Sequence, residues 1–382
     1  MKIRQINAHI LQAPIDPVFA FSQGWVTTRN ATLIEIQTEC GITGWGEAFC
    51  QGLEVPQIAH ATIEHCFAPM LEGANPLDIE KHWFEMYHRS RDFGRKGAVM
   101  AAISGIDIAL WDIAAQHYGV PLYQLLGGAF RTEIEPYATG FYRIKGQGEK
   151  DRLALEAIRH FENGFRHMKV KLGFGVRDDL QVMDAIATTL QGKDAVLMVD
   201  TNHSYGLNEA MMLGRGMADY DLRWYEEPVA PEHIQAYASL RQQLPMAIAG
   251  GENEHSLYGF RDLFLAEAVD IAQPDLGSCG GITAMRHITA LAQAHGVEVN
   301  PHIWGSAVVQ SASVHVIASL PHTHHSLFPR QPVFEYDQST HPFRTELTEQ
   351  PLTLKDGRLT LPAAAGIGIT VRPDTLKRYK IN

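Results

Sequence analysis

The chain has 382 residues. A single hydrophobic core rarely supports a domain of this length, so the length predicts two domains. Its formal net charge of −11 argues against nucleic acid and anionic membranes as partners, and its 45% hydrophobic residues are ordinary for a globular protein. The four cysteines form no CxxC pair, the N-terminus has no signal-peptide pattern, and no apolar run reaches the roughly 20 residues of a membrane span, so we expect a cytoplasmic protein that does not enter a membrane.

The first 125 residues are predicted to form an α+β unit. Residues 2–12 and 31–38 show the patterning of strands, and CGITGWGEAF adds a turn and a further strand. The intervening stretch FAFSQGWVTTRN is aromatic and aperiodic, and we interpret it as a loop, either plain surface or a lid over a site. From Val55 to about Gly119, apolar residues recur every three or four positions, which predicts helices.

A second unit is predicted to begin near residue 126. Residues 133–139 favour a strand, residues 150–163 a helix, and FRHMKVKLG another strand. Lys169 and Lys171 are two apart and therefore point to the same face of that strand. Because lysine is rarely buried without a partner, the pair indicates a functional mouth, although two lysines facing solvent on an edge strand would show the same spacing.

Five apolar runs between Ala195 and His302 each end in ionisable residues. The intervals of 26, 26, 23 and 27 residues each accommodate one strand, one helix and two loops, which is the repeat of a (β/α)₈ barrel. The C-terminal ends of barrel strands converge on one mouth. We therefore expect the following residues to meet there: Asp200, Glu226 with Glu227, Glu252, Asp275 and His302.

Three of these strand-end residues predict a metal site. Asp200, Glu226 and Glu252 would repel one another unless a cation were bound, and hard oxygen ligands favour Mg²⁺ or Mn²⁺. A single strand-end acid often caps the following helix instead, but three in nearly equal steps are poorly explained that way.

The C-terminal region predicts the last barrel strand and a return to the first domain. Residues 307–320 favour a helix, and PVFEYD favours a final strand carrying Glu335. The tail segments LTLKDGRLTLP and GIGITV are interpreted as strands that rejoin the N-terminal sheet. We thus predict a capping domain of residues 1–125 completed by 338–382, and a barrel domain of residues 126–337.

The converging residues suit removal of a proton next to a carboxylate. A metal-bound substrate carboxylate acidifies its α-proton, and Lys171, with a pKa lowered by the neighbouring Lys169 and the nearby cation, is a candidate base. His302, oriented by Asp275, is a second base on the opposite side of the mouth. Glu335, if protonated, would donate a hydrogen bond to the developing enediolate. Singly, Asp275 could cap a helix and His302 could be a core histidine.

These motifs resemble the mandelate racemase subgroup of the enolase superfamily. The resemblance spans the chain and rests on KVK, MVDTN, WYEEP, GGEN, QPDLGSCGG and NPHIWG. It implies a (β/α)₇β modified TIM barrel with an α+β capping domain, a Mg²⁺ cofactor and a homo-oligomer, often an octamer. It also implies site roles, with Asp200, Glu226 rather than Glu227, and Glu252 as metal ligands, Lys171 and the His302–Asp275 dyad as acid/base groups, and Lys169 and Glu335 as further catalytic residues.

Within the subgroup, GWGEA, YATGFYR, DTNHSY and FEYDQSTHPF are similar to the D-galactarolactone cycloisomerases. This implies opening of an aldaric acid lactone (D-galactaro-1,4-lactone or D-glucaro-1,4-lactone) to a 3-deoxy-2-keto-hexarate by α-proton abstraction and β-elimination of the ring oxygen. Alternatives are a galactarate- or glucarate-type dehydratase, a racemase or epimerase, and a non-catalytic sugar-acid-binding barrel. Candidate substrate contacts are Arg143, Asn202, His203 and Trp304 beside strand ends, with Trp25 and Phe49 closing over the site.

Overall fold

An antiparallel sheet and a group of helices form the N-terminal part of the computed structural model, which describes residues 1–50 and 53–381. The sheet contains β1 (Ile3–Phe21), β2 (Gly24–Thr38) and β3 (Thr43–Ala48), in that order. The helical elements are α1 (Pro56–Thr62), a π-helical turn (Ile63–Phe67), α2 (Ala68–Leu71), α3 (Ile79–Ser90), α4 (Ala98–Tyr118) and α5 (Leu122–Leu125). This part of the fold is the cap, and its α+β character is as predicted.

Glycines allow α4 to pack directly on the sheet of the cap. A Cβ atom built on Gly46 of β3 would lie 1.9 Å from the carbonyl oxygen of Gly105 in α4, so no side chain fits there. α4 is apolar enough over its 21 residues to cross a membrane, but 89% of its most apolar window is buried inside the protein. A helix that is apolar on all sides and buried inside the protein is a core helix.

The aromatic stretch of residues 19–30 is not a loop, and that prediction is wrong. It forms the distal half of a long hairpin, because β1 and β2 continue their pairing as far as Phe21 and Gly24. The tip is held by the barrel, since the backbone of Ala20 exchanges two hydrogen bonds with Arg143. The local sequence pattern gives no sign of this contact between the tip and the barrel, because Arg143 lies more than 120 residues from Ala20 in the chain.

Eight parallel strands form the barrel, and a short strand, β4 (Glu133–Ile134), precedes them. The barrel strands are β5 (Pro136–Gly140), β6 (His167–Lys171), β7 (Val196–Asp200), β8 (Tyr225–Glu226), β9 (Ile248–Gly250), β10 (Ile271–Ala272), β11 (Glu298–Val299) and β12 (Phe334–Asp337). The helices between them are α6 (Lys150–Glu162), α7 (Val176–Thr189), α8 (Leu207–Gly216), α9 (Ile234–Gln243), α10 (Ser256–Leu265), α11 (Gly281–Ala294) and α12 (Ala307–Ser319).

The last strand closes the barrel without a long helix after it. β12 pairs with β5, and the side-chain amide of Asn300, next to β11, exchanges two hydrogen bonds with the backbone of Val333. Only the four-residue α13 (Pro342–Thr345) follows β12 directly. The fold is therefore the predicted (β/α)₇β barrel with an α+β cap.

The C-terminal tail returns to the cap by a different route from the predicted one. β13 (Leu359–Thr360) pairs with β4 and not with the N-terminal sheet. The GIGITV segment does not form a strand, because its glycines Gly366 and Gly368 turn the chain with positive φ angles. α14 (Pro373–Tyr379) and a backbone bridge from Lys380 to Leu11 then reach β1. The domain boundaries at residues 125 and 337 stay predictions.

Candidate active site

Three carboxylates converge at the C-terminal ends of neighbouring barrel strands. Asp200 ends β7, Glu226 ends β8, and Glu252 follows β9 by two residues. Parallel pairing places Lys171, Asp200 and Glu226 side by side across three strands. One ligand oxygen from each carboxylate lies within 4.8 Å of the others. We call Asp200, Glu226 and Glu252 the acidic triad.

The residues around the acidic triad fit a divalent cation. Oε2 of Glu252 is shielded from solvent and accepts no hydrogen bond from any residue in the described part of the chain. With its bases protonated, the ion-paired cluster has a net charge of −2, which a divalent cation would balance. The cluster comprises five carboxylates and three bases: Asp200, Glu226, Glu252, Asp275 and Glu335 with Lys169, Lys171 and His302.

Buried donors hold the Glu226 carboxylate in the triad. Lys169 donates to Oε1 at 2.6 Å, while Trp224 and Gln273 donate to Oε2 at 2.8 and 2.6 Å. Burial raises the pKa of Glu226 to about 7 against the opposing effect of Lys169. The next residue, Glu227, is also buried, but its carboxylate does not belong to the converging set.

Lys171 lies beside the acidic triad on the wall of a cavity. Its Nζ donates to Oδ2 of Asp200 at 2.5 Å and to Oδ1 of Asn202 at 3.0 Å. Burial lowers the pKa of Lys171, but Asp200, Glu252 and Glu226 together raise it, and the net shift is upward. Lys169 does lower this pKa, as predicted, but the effect is outweighed. The predicted lowering included the effect of a bound cation beside Lys171, and it stays a prediction.

His302 and Asp275 form the predicted dyad. Nδ1 of His302 lies 2.7 Å from Oδ2 of Asp275, and Nε2 lies 3.4 Å from Glu252 and 3.8 Å from Glu335. Burial lowers the pKa of His302, but the three neighbouring carboxylates raise it to about 10. The ring is therefore fixed at one nitrogen by Asp275 and presents the other toward the acidic triad.

Glu335 is a carboxylate acceptor in this structure and not a protonated donor. Thr139 donates to its Oε1 at 2.6 Å, the backbone N–H of Ile303 donates to its Oε2 at 3.0 Å, and Lys169 lies 2.9 Å away. Burial raises the pKa of Glu335, but Lys169, His302, Lys171 and the N–H of Ile303 together lower it, so the net shift is downward. This shift favours the anion over the protonated form considered from the sequence.

One cavity of about 510 Å³ lies between the acidic triad and the cap. Its wall includes both acid/base candidates, Lys171 and His302, together with Glu252 of the triad. The structure also places four of the predicted contact residues on that wall: Phe49, Asn202, His203 and Trp304. A substrate in this cavity would thus contact residues of both the barrel and the cap.

Two predicted substrate contacts do not line this cavity. Arg143 is fully buried, donates to Asp178 at 2.8 Å, lies 3.6 Å from Asp179 and packs on the ring of Phe174. Its charge is thus committed to structural ion pairs. Trp25 lies near the hairpin tip, half exposed and off the cavity wall. The structure therefore supports neither residue as a direct contact.

The hairpin tip contains residues that the sequence analysis missed. The Ser22 hydroxyl donates to the carbonyl of Thr201 at 2.9 Å, and the Gln23 amide donates to the carbonyl of Asn202 at 2.7 Å. These bonds attach the cap to the loop that follows Asp200. No local signal marks such bonds, because each depends on a partner about 180 residues away.

Glu47 is a second residue that the sequence analysis missed. It extends from β3 to the N-terminus of α12, where it accepts hydrogen bonds from the backbone N–H and the hydroxyl of Ser306 and from the N–H of Val309. Burial raises the pKa of Glu47 to about 7 against these bonds. An acid inside an otherwise uncharged strand, as in GWGEA, is the signal that would have indicated a buried partner.

Comparison with known proteins places both parts of the chain in one family. Residues 5–127 match the mandelate racemase / muconate lactonizing enzyme N-terminal domain, and residues 152–375 match the enolase C-terminal domain-like family. D-galactarolactone cycloisomerase of Agrobacterium fabrum is 37% identical over 381 residues, which cover 100% of this chain and 99% of that protein.

Solved structures agree with these matches. The 3,6-anhydro-D-galactonate cycloisomerase of Zobellia galactanivorans has a TM-score of 0.89 and 36% identity, and the match covers 100% of both chains. A racemase of Streptomyces coelicolor with bound magnesium has a TM-score of 0.88 and 27% identity, with 99% of this chain and 100% of that chain covered.

Proposed function

Because the chain belongs to the mandelate racemase / muconate lactonizing enzyme family of the enolase superfamily, we propose that it is a Mg²⁺-dependent cycloisomerase of aldaric acid lactones. The proposed substrate is D-galactaro-1,4-lactone, with D-glucaro-1,4-lactone as a second one to test. The proposed product is the linear 3-deoxy-2-keto-hexarate, an isomer of the substrate.

One observation carries this proposal: two acid/base groups share a cavity wall with the acidic triad. Lys171 and His302 both lie there, beside Glu252, and Asp275 holds His302 from behind the wall. Proton abstraction next to a carboxylate needs such a base and a nearby site of positive charge. The similarity to two cycloisomerases, over the full chain in each case, supports ring opening as the outcome.

Each group then has a defined task. A divalent cation held by the acidic triad would draw charge from the substrate carboxylate and so lower the barrier to α-proton removal. Lys171 or His302 accepts that proton, and Asp275 holds the imidazole in one tautomer. Asn202 donates a hydrogen bond to Glu252 at 3.5 Å and accepts one from Lys171 at 3.0 Å, so it orients both a metal-ligand candidate and a base candidate.

The electron pair of the broken C–H bond then expels the ring oxygen from the β-carbon. That oxygen leaves as part of a carboxylate, so its departure requires little acid assistance. A proton returned to the former β-carbon converts the enol to the ketone. By contrast, a dehydratase would have to protonate a departing hydroxide, and a racemase would return the proton to the original carbon.

Proton NMR of the Mg²⁺-loaded enzyme in D₂O tests the proposal. We expect galactaro-1,4-lactone to give the linear keto acid with deuterium at the former β-carbon, while open galactarate and glucarate are left unchanged. Dehydration of an open diacid, or α-exchange without ring opening, would contradict the proposal in favour of a dehydratase or a racemase.

Two variants assign the base. Lys171→Ala and His302→Asn should be compared for deuterium exchange at the substrate α-carbon, and the variant that loses exchange identifies the proton acceptor. Exchange that persists in both would remove both residues from that role. The cytoplasmic location and the homo-oligomeric state stay predictions from the sequence.

A further inference from the structure

The chain segment that follows His302 is held by carboxylates. Three of its next four backbone N–H groups donate hydrogen bonds to acidic side chains, at distances from 2.9 to 3.4 Å. The pairs are Ile303 with Glu335, Trp304 with Asp275, and Ser306 with Glu47. The first two acids belong to the barrel mouth, whereas Glu47 belongs to strand β3 of the cap. The position of the His302 segment therefore depends on the cap as well as on the barrel.

Glu47 approaches this segment closely. Its Oε2 accepts hydrogen bonds from the hydroxyl of Ser306 at 2.6 Å and from the N–H of Val309 at 3.2 Å. A Cβ atom built on Gly305 would lie 2.1 Å from the side chain of Val309 and 3.1 Å from Oε1 of Glu47. No side chain fits at that position, and the glycine lets the carboxylate reach the backbone. Glu47 thus fixes the chain four residues after His302.

The same end of β3 also contacts the Asp275 side of the dyad. Phe49, two residues after Glu47, donates its backbone N–H to the carbonyl of Gly277 at 2.9 Å. The N–H of Gly277 in turn donates to Oδ1 of Asp275 at 2.7 Å. A Cβ atom on Gly277 would lie 3.2 Å from that oxygen and 3.4 Å from the nitrogen of Phe49, so the contact is tight on both sides. One end of one cap strand therefore contacts both loops that carry the dyad.

Capping of helix α12 does not account for Glu47 by itself. Ser306 already caps this helix, because its side chain accepts a hydrogen bond from the N–H of Val308 at 3.2 Å. Glu47 is 1% exposed, and its hydrogen bonds in the described part of the chain all come from neutral donors. Burial of a carboxylate without a cationic partner lowers stability, so an apolar contact between β3 and α12 would be the more stable arrangement. The carboxylate is thus better explained by the loop that it holds than by the helix.

We propose that Glu47 is a positioning residue that holds the His302–Asp275 dyad in its working geometry. The inference rests on the proposed function, in which His302 accepts or returns a proton. Glu47 is not on the cavity wall, so it acts through the loop and not on the substrate. While the loop is held, Nδ1 of His302 stays 2.7 Å from Asp275 and Nε2 faces the acidic triad. A small displacement of a proton-transfer group lowers the rate steeply, even when the substrate still binds.

Glu47→Gln tests this role. Glutamine keeps the size of the side chain but has one acceptor oxygen, so its NH₂ group either faces the N–H of Ser306 or displaces the loop. We expect kcat for the opening of galactaro-1,4-lactone to fall by roughly tenfold or more, and KM to stay within about threefold. A kcat that does not change would overturn the inference, as would a loss that appears only in KM.

Asp112→Asn is the matched control. Asp112 is also a buried carboxylate of the cap, and burial raises its pKa as it raises that of Glu47. It accepts hydrogen bonds from the N–H groups of Trp45 and Ile367, and neither lies in a loop of the dyad. This variant should have a lower Tm but a kcat within about threefold of the parent. An equal loss of kcat in both variants would overturn the inference, because any damage to the cap would then suffice.

Ser306→Ala is a milder variant that keeps the test open if Glu47→Gln does not fold. It removes one donor to Glu47 and leaves the backbone N–H groups in place. We expect kcat to fall in the same direction by about threefold, with KM unchanged. A kcat equal to that of the parent would contradict the positioning role.

Crystal structures of the Mg²⁺-loaded parent and of Glu47→Gln separate the inference from the proposed function. In the variant we expect the distance from Nδ1 of His302 to Oδ2 of Asp275 to exceed about 3.2 Å, the upper end of the hydrogen-bond range, while the acidic triad keeps its geometry. An unchanged dyad would overturn the inference whether or not the lactone is a substrate. If the parent does not convert the lactone but the dyad moves in the variant, the proposed function fails and the positioning role stands.

Discussion

Replacement of Asp275 by asparagine tests how the dyad works. The Asp275 carboxylate accepts three hydrogen bonds, at Oδ2 from His302 at 2.7 Å and from the N–H of Trp304 at 3.4 Å, and at Oδ1 from the N–H of Gly277 at 2.7 Å. An asparagine has a single oxygen, whereas these donors approach two. Either His302 or Gly277 must then face the NH₂ group, and the imidazole loses its fixed tautomer or the loop loses its anchor.

The expected magnitude follows from the bond that is lost. A hydrogen bond to a charged group contributes about 1.5–3 kcal/mol, so Asp275→Asn should lower kcat/KM by about 10- to 150-fold. The loss should be mainly in kcat, because Asp275 does not itself line the cavity. Initial rates of lactone opening, with deuterium exchange measured in parallel, provide the assay.

Asp107→Asn is a matched control for the loss of a buried carboxylate. Asp107 accepts hydrogen bonds from the hydroxyl and the N–H of Thr283, and it is not on the cavity wall. Burial raises its pKa to about 7, so a neutral amide is a mild change there. An Asp275→Asn enzyme whose kcat/KM stays within threefold of the parent would refute the role of the dyad.

Three further results are expected. Mg²⁺ at 100 times its Kd should stabilise the fold by about 2.7 kcal/mol through the acidic triad. A chelator should abolish both this stabilisation and the deuterium exchange at the substrate α-carbon. An identical Tm with and without Mg²⁺ would contradict binding of the cation at the triad. Gly46→Ala should lower the free energy of unfolding in urea by about 1–3 kcal/mol, because its Cβ would clash with the carbonyl of Gly105. Gly41→Ala is the control, because a Cβ there would meet no atom within 4 Å and only the strain of a positive φ would remain. Burial lowers the pKa of His315 to about 4, so below about pH 6.5 the unfolded chain binds a proton that the folded chain does not. The free energy of unfolding should therefore fall by roughly 3 kcal/mol as the pH drops from about 6.5 to about 4. The same dependence of stability on pH in His315→Gln would exclude this cause.

Much of the barrel and the acidic triad could be predicted because each depends on local patterning repeated along the chain. Buried strands alternate with helices at a nearly constant interval, and a parallel barrel brings every strand end to one mouth. Asp200, Glu226 and Glu252 therefore had to converge once the repeat was recognised. The shared face of Lys169 and Lys171 follows equally from the two-residue period of a strand.

Other features depend on contacts between residues far apart in the chain. The tip of the hairpin within residues 19–30 is hydrogen-bonded to the barrel at Arg143. The side chain of Arg143 forms a structural ion pair with Asp178, which lies 35 residues further along the chain. Neither contact leaves a periodic trace in the sequence.

The direction of the pKa shift of Glu335 was likewise decided only by the tertiary structure. The pKa is lowered because Lys169, His302 and the N–H of Ile303, which come from different barrel segments, lie around the carboxylate. Sequence determined which residues meet at the barrel mouth, since strand periodicity and repeat length are local properties. Only the assembled fold determined their pKa shifts, because burial and electrostatic interactions depend on what lies nearby in space.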